Sequence, residues 1–241
     1  MNRLLLLYAG EVTRMRKYGI TLASLGVAVL WVLLLHFSEL QDISGIFPLV
    51  LFVDTTLMSV LLVGVSMTFE KQENSIKSML VLPISKDDYL LSKSLSTVTS
   101  SITTLLLLLV YGFLMKGLRV NIVGMFGAVL LVSFVFSQLG VLLTYSSKDF
   151  TSLLTSMFKF TLLLTIPTVL QFLKIFEADW FGYLQYLNPT KNALVLLLAP
   201  AIAVEAKDLL IAIIYLAVLG MLSFIAARRA FDGYAMKESG C

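Results

Sequence analysis

The sequence predicts an all-α integral membrane protein: six transmembrane helices, an N-terminal interfacial helix, a short cytoplasmic helix and a short outer re-entrant helix. Of its 241 residues, 59% are hydrophobic and 14% charged, whereas an average soluble domain carries about 25% charged residues. The mean hydropathy is +0.93. Such a chain cannot hide its apolar surface in one soluble core, so lipid is its solvent.

The spans are defined by length. About 20 apolar residues are needed to cross ~30 Å of hydrocarbon, and helices are expected because each span must satisfy its own backbone hydrogen bonds. The qualifying stretches are 18–37, 46–69, 90–115, 120–145, 151–174 and 207–227. Since no internal repeat or linker is evident, residues 1–241 are predicted to form a single transmembrane domain.

Orientation follows from the basic residues. If the N-terminus is cytoplasmic, most Lys and Arg fall in the inner segments, while the first outer loop carries Glu39 and Asp42 without Lys or Arg. This asymmetry predicts a multi-pass membrane protein with both termini in the cytoplasm. The net charge of +3 is too small to indicate a nucleic-acid partner.

Residues 1–17 have two faces at helical spacing. The apolar face comprises Leu4, Leu5, Tyr8, Val12 and Met15, and another face is marked by Glu11, Arg14 and Lys17. The pattern predicts an amphipathic helix lying along the inner membrane surface. A frayed leader with no fixed role is the alternative.

The connector 175–206 contains a helix signal. Asn188 is a candidate N-cap, Pro189 suits the first helical position, and an apolar run continues to Pro200. This run is too short to span a membrane. It predicts a short helix that dips into the outer leaflet or into protein.

The segment 70–88 is the long polar interruption between the second and third spans. It begins with Glu70 and Glu73, which favour a helix N-terminus. An apolar stripe follows at i, i+3 and i+4 spacing, before Pro83 ends the helix; the stripe comprises Ile76, Met79 and Leu80. Such a helix could sit in a groove on a soluble partner, or it could rest on headgroups or on the neighbouring spans.

Residues 69–93, "FEKQENSIKSMLVLPISKDDYLLSK", resemble a segment of type-2 permeases of ATP-binding-cassette exporters. The family pattern E-[KR]-x-x-[GN]-[ST]-[LI], then P-[IV]-S and Y-x-L-[SG]-K, matches Glu70-Lys71, Asn74-Ser75-Ile76, Pro83-Ile84-Ser85 and Tyr89 to Lys93. Many members have Gly where this chain has Asn74. The resemblance also covers the surface helix, the six spans and the broken helices before the sixth, and therefore essentially the whole chain.

The resemblance implies that 70–88 is a coupling segment that docks on an ATPase subunit. The candidate coupling residues are Glu70, Lys71, Glu73, Asn74, Ile76, Met79, Leu80 and Pro83. It further implies two copies of the ATPase, which would bind ATP and Mg, and a second permease copy or a related permease. The stretch "LFVDTTLMSVLLVGVSMTFEKQE" is similar to permeases for fluoroquinolone export and phenol-soluble-modulin export, which implies a hydrophobic or amphipathic substrate.

Two charges fall deep inside predicted spans. Asp54 lies in the second span and Lys159 in the fifth; because a charge at mid-membrane costs at least ~2.5–3.5 kcal/mol, such residues are functional candidates. Both are candidates for the substrate path, and the hypothesis is that Asp54 lines or gates it. A structural hydrogen bond for Asp54, and snorkelling of Lys159 to the interface, are the alternatives. Gln138 is a third candidate, although its amide more readily serves as a helix–helix contact.

Motifs for catalysis are absent from the sequence. It contains no G-x-x-x-x-G-K-[ST], no H-E-x-x-H and no G-x-S-x-G, and His36 is its one histidine. We therefore expect no catalytic residue, no metal site and no cofactor within this chain. Two other functions stay open: an ion- or proton-coupled carrier that uses Asp54, and a membrane immunity protein against an amphipathic peptide.

Overall fold

The computed structural model describes residues 3–73, 75, 84–173, 175 and 179–236. Several of the predicted coupling residues lie outside this part of the chain: Asn74, Ile76, Met79, Leu80 and Pro83. The predicted cytoplasmic helix therefore cannot be compared with the structure. Its two flanks, up to Glu73 and from Ile84, are described.

All regular structure in the described ranges is helical. The helices are α1 (Arg3–Lys17), α2 (Ile20–Phe37), α3 (Phe47–Gln72), α4 (Lys86–Met115), α5 (Ile122–Ser146), α6 (Phe150–Phe172), α7 (Asp179–Gln185), α8 (Pro189–Leu198) and α9 (Ala206–Met236). Six of them, α2 to α6 and α9, are long and apolar enough to cross a membrane. The predicted class, an all-α integral membrane protein with six spans, is confirmed.

We call the stretch between α3 and α4 the connecting segment. At both of its flanks, the helix bounds differ from the predicted spans. α4 begins at Lys86 because the Ser85 side chain caps it, accepting a hydrogen bond from the Asp88 amide at 3.0 Å. α3 continues to Gln72, so Glu70 and Lys71 belong to its last turn. The second span therefore extends past its predicted end at residue 69, while the coupling role of 70–88 stays a prediction.

The bundle is layered around α3. In the most apolar window of α3, 67% of the residues are buried, against 22% in each of α2, α6 and α9. The main core joins α3 to α4, α5 and α8 through apolar side chains that include Phe47, Phe52, Leu105, Phe136 and Leu197. The exposed faces of α2, α6 and α9 carry Leu, Ile and Val, which suits contact with hydrocarbon.

Two glycines are required, one by helix packing and one by the backbone conformation of a turn. A Cβ on Gly140 of α5 would lie 2.9 Å from the Val60 carbonyl oxygen and 2.6 Å from Val63 Cγ1 on α3. Only glycine permits this approach of the two central helices. Gly19, with φ of 72°, adopts the left-handed conformation that turns the chain from α1 into α2.

The connector before α9 folds into two short helices. α8 begins at Pro189 after the Asn188 N-cap, whose side chain accepts from the Thr190 amide, as the sequence predicted. Most α8 side chains are buried, including Leu194 and Leu197. Of the two predicted surroundings, lipid or protein, α8 therefore lies in protein.

Candidate functional site

The candidate site is a cluster of four charged side chains, Glu11, Arg14, Glu70 and Lys93, which we call the charge cluster. Glu11 and Arg14 lie three residues apart on α1 and therefore share one helix face. Glu70 is in the last turn of α3, and Lys93 is about two turns into α4. The charged side chains of three helices, α1, α3 and α4, thus meet at one place near the connecting segment.

Cations and carboxylates alternate within the cluster. Lys93 Nζ lies 2.5 Å from Glu11 Oε1 and 2.8 Å from Glu70 Oε1. Arg14 Nη2 lies 2.6 Å from Glu11 Oε2 and 2.9 Å from Glu70 Oε1. Each carboxylate therefore contacts both cations, and the formal charges of the four groups cancel.

Two neutral side chains add hydrogen bonds to the cluster. Ser66 Oγ donates to Glu11 Oε1 at 2.5 Å and accepts from Lys93 Nζ at 2.7 Å. The Tyr89 hydroxyl donates to Glu70 Oε2 at 2.8 Å. These contacts help to offset the desolvation of the ions, which otherwise costs several kcal/mol per buried charge.

The cluster is closed to solvent except at Arg14. The Glu11 and Glu70 side chains are 0% exposed and the Lys93 side chain 1%, whereas Arg14 is 26% exposed. Burial alone raises the pKa of Glu11, but the charges of Lys93 and Arg14 and the hydrogen bonds from Lys93 and Ser66 outweigh it, so the pKa falls to about 2. The Glu11 carboxylate is therefore ionised at neutral pH.

This arrangement corrects the expectation for α1. Its charged face, with Glu11 and Arg14, lies against α3 and α4, while Leu5 and Leu6 are exposed. The polar face of the helix packs on protein, and its leucines are left for lipid. The helix is amphipathic as predicted, but Glu11 and Arg14 pack against protein, whereas Lys17 of the same face is exposed.

Weaker ion pairs surround the cluster at the same end of the bundle. Glu73 lies 3.4 Å from Lys17 and accepts a hydrogen bond from the Tyr18 hydroxyl at 2.5 Å. On the other side, α4 contacts α9 through Lys86–Asp232 at 2.6 Å and Arg228–Asp87 at 3.0 Å. Because these groups are largely exposed, each pair contributes about 0–1 kcal/mol.

The three coupling candidates that the structure describes differ in their exposure to solvent. Glu70 is buried in the charge cluster, so its carboxylate does not face solvent. Lys71 is half-buried, with Nζ 5.4 Å from the centre of the Tyr234 ring. Glu73 is exposed. Their roles in coupling stay predictions. Because Glu70 is buried, any role it has in coupling acts through its ion pairs in the charge cluster.

The candidates for the substrate path are not brought together. Asp54 is buried and accepts a hydrogen bond from Trp31 Nε1 at 3.0 Å, while Lys159 is exposed on α6. Within the described ranges, no ion pair joins the two. Gln138 is buried and donates to Ser94 Oγ, as expected for a helix–helix contact.

Sequence reasoning missed the cluster because its members come from distant parts of the chain. In the sequence, Lys93 is the end of the Y-x-L-[SG]-K match, and Glu11 and Arg14 mark one face of α1. One signal is present: a lysine near the start of a predicted span requires a carboxylate partner or an exit to the interface. The partner could not be named without the fold.

Together, six spanning helices and a closed ionic cluster beside a polar connecting segment define a multi-pass membrane protein. The family of ABC-2 type transporters matches residues 3–200. The chain therefore belongs to the ABC-2 type transporter family and is a membrane-spanning permease component of an ABC transporter, not itself the ATPase. The family implies an ATPase partner. A comparison with curated proteins found no match.

Proposed function

We propose that the chain is the membrane subunit of an ATP-driven exporter that moves a hydrophobic or amphipathic substrate, such as a drug or peptide, out of the cell. Two ATPase subunits bind ATP and Mg and dock on the segment between α3 and α4. A second permease copy, or a related permease, completes the path. In this arrangement the chain lies in the bacterial cell membrane with both termini in the cytoplasm.

The observation that carries this proposal is the contact across the connecting segment. Glu70 and Lys93, on the two flanks of residues 74–83, approach to 2.8 Å, and Tyr89 also donates to Glu70. The two helices that flank the segment are therefore joined by one ionic contact. A force applied to the segment acts on α3 and α4 together.

The cluster extends that connection to α1. Separating buried ion pairs leaves uncompensated charges, at a cost of about 3–5 kcal/mol. The ends of α1, α3 and α4 are therefore expected to move as one body when the ATPases close. Since α3 is the most buried span, displacement of its end changes the packing of the whole bundle and with it access to the path.

The spans favour a hydrophobic or amphipathic substrate. Asp54 and Gln138 are each hydrogen-bonded within the bundle, to Trp31 and Ser94, while the exposed faces of α2, α6 and α9 are largely apolar. A hydrated ion or sugar needs several free polar groups to replace its water. An apolar or amphipathic molecule needs few.

The test is purification of the full chain in mild detergent from its host, then reconstitution with the soluble P-loop subunit that accompanies it. Vanadate-sensitive transport of an amphipathic dye or peptide is expected. Changing Ile76, Met79 and Leu80 together to Asp should abolish the association with the ATPase. As a matched control, changing Tyr183 and Leu187, which are exposed at the opposite end, to Asp should preserve it.

Two results would contradict the proposal. One is transport by the chain alone that resists vanadate and follows an ion gradient, which would indicate a carrier centred on Asp54. The other is sequestration of a toxic peptide without its movement across the membrane, which would indicate an immunity protein.

A further inference from the structure

A cavity of about 430 Å³ lies at the end of the bundle opposite the charge cluster. It lies between α5, the end of α8 and the start of α9. Its walls include Gly124, Gly127 and Leu131 on one side and Leu209 and Ile213 on the other. We call it the α5–α9 groove.

The groove exists because of the residues on α5. At Gly127 an added Cβ would meet nothing within 4 Å, and at Gly124 it would touch Pro200 at 3.3 Å. Two helix positions without side chains thus leave a furrow beside α9. From Gly124 to Leu131 it runs about 10 Å along the helix axis, less than the ~15 Å depth of one hydrocarbon leaflet.

We propose that the α5–α9 groove binds one acyl chain of a membrane phospholipid. Its walls are mostly hydrocarbon, with Asn121, whose side chain caps the start of α5, as the polar residue among them. A water molecule needs two to four polar partners to occupy a cavity, and the groove opens between spans, where the surrounding medium is hydrocarbon. A transmembrane helix of a second copy that packed at this point would instead cover the groove and keep lipid out of it. A single chain meets the volume, the apolar lining and the length.

An occupied groove has a structural consequence for α8. The Leu196 side chain and Pro200 line the groove, so a bound chain packs against α8 and its end as well as against α9. The lipid then supplies a contact that the protein lacks and supports α8 within the bundle. This inference does not depend on the proposed export function.

The test uses the full chain in nanodiscs containing a small fraction of phospholipid with a diazirine in the middle of one acyl chain. After illumination, labelled peptides are mapped by mass spectrometry. We expect the regions 124–131 and 209–213 to be labelled several-fold more strongly than the exposed face of α2 around Leu30. Gly127→Leu, which fills the groove, should reduce that labelling to the level of α2.

The matched control is Gly26→Leu on α2, where an added Cβ also meets nothing within 4 Å. It should leave the labelling of the groove unchanged. Gly127→Ala adds one methyl group to open space and should give an intermediate reduction, which guards against misfolding of the larger variant. Uniform labelling of all exposed faces, or labelling that Gly127→Leu leaves intact, would overturn the proposal.

Discussion

Lys93 Nζ of α4 lies 2.8 Å from Glu70 Oε1 of α3, and both side chains are removed from solvent. The two residues flank the connecting segment, at positions where the chain matches the pattern of type-2 permeases. Their contact is a structural reason for having a glutamate and a lysine at these two positions of the pattern. The glutamate and the lysine join α3 to α4, and Glu11 and Arg14 add α1 to the same junction.

Lys93→Met is expected to destabilise the protein by about 3–5 kcal/mol, the range for breaking one side of a buried ion pair. Glu11 and Glu70 would keep Arg14 but lose the cation that is fully enclosed with them. The measurement is unfolding in detergent followed by tryptophan fluorescence. Adding Glu70→Gln to the variant should recover part of the loss, because one unpaired charge is removed.

Lys86→Met provides the comparison for Lys93→Met. Lys86 pairs with Asp232, but both side chains are about half exposed, so its loss should cost no more than about 1 kcal/mol. Equal effects of the two substitutions would show that the charge cluster contributes no more than a surface pair.

Acid should weaken the cluster through Glu11. Its pKa is lowered from 4.5 to about 2 in the folded protein, so the ionised form stabilises the fold fully above pH 4.5. That contribution is lost as the pH falls from 4.5 towards 2. Glu11→Gln should be less stable at pH 7 and should show a shallower fall in Tm over this window. An unchanged acid slope in the variant would remove Glu11 from the explanation.

Gly140→Ala should destabilise the contact between α3 and α5. The new Cβ would lie 2.9 Å from a backbone oxygen, that of Val60, and backbone cannot rotate away as a flexible side chain can. Overpacking of this kind costs about 1–3 kcal/mol. The midpoint of thermal aggregation in detergent measures the effect. Gly26→Ala, in open space on α2, should be neutral or slightly stabilising because alanine favours helix.

The spans and the short helix α8 could be predicted because their signals are local. Hydropathy over about 20 residues specifies a span, and an Asn-Pro pair before an apolar run specifies where α8 begins. The cluster is not local: Lys93 meets Glu11 across 82 positions, and Ser66 meets Glu11 across 55. Helical periodicity separates the two faces of α1 but does not say whether water or protein covers the charged one. That choice depends on how α1 docks against α3 and α4.

Asp54 and Trp31 allow a structural role to be separated from a role in the export path. Asp54→Asn keeps an oxygen that can accept from Trp31 Nε1, so stability should change by less than about 1 kcal/mol. Asp54→Ala leaves that donor unpaired and should cost about 1–3 kcal/mol.

If the carboxylate lines or gates the path, vanadate-sensitive transport should fall in both variants, including the stable Asn form. Trp31→Phe removes the hydrogen bond but keeps the carboxyl group, and should retain more transport than Asp54→Asn. Intact transport in both Asp54 variants would leave Asp54 as a helix–helix contact alone.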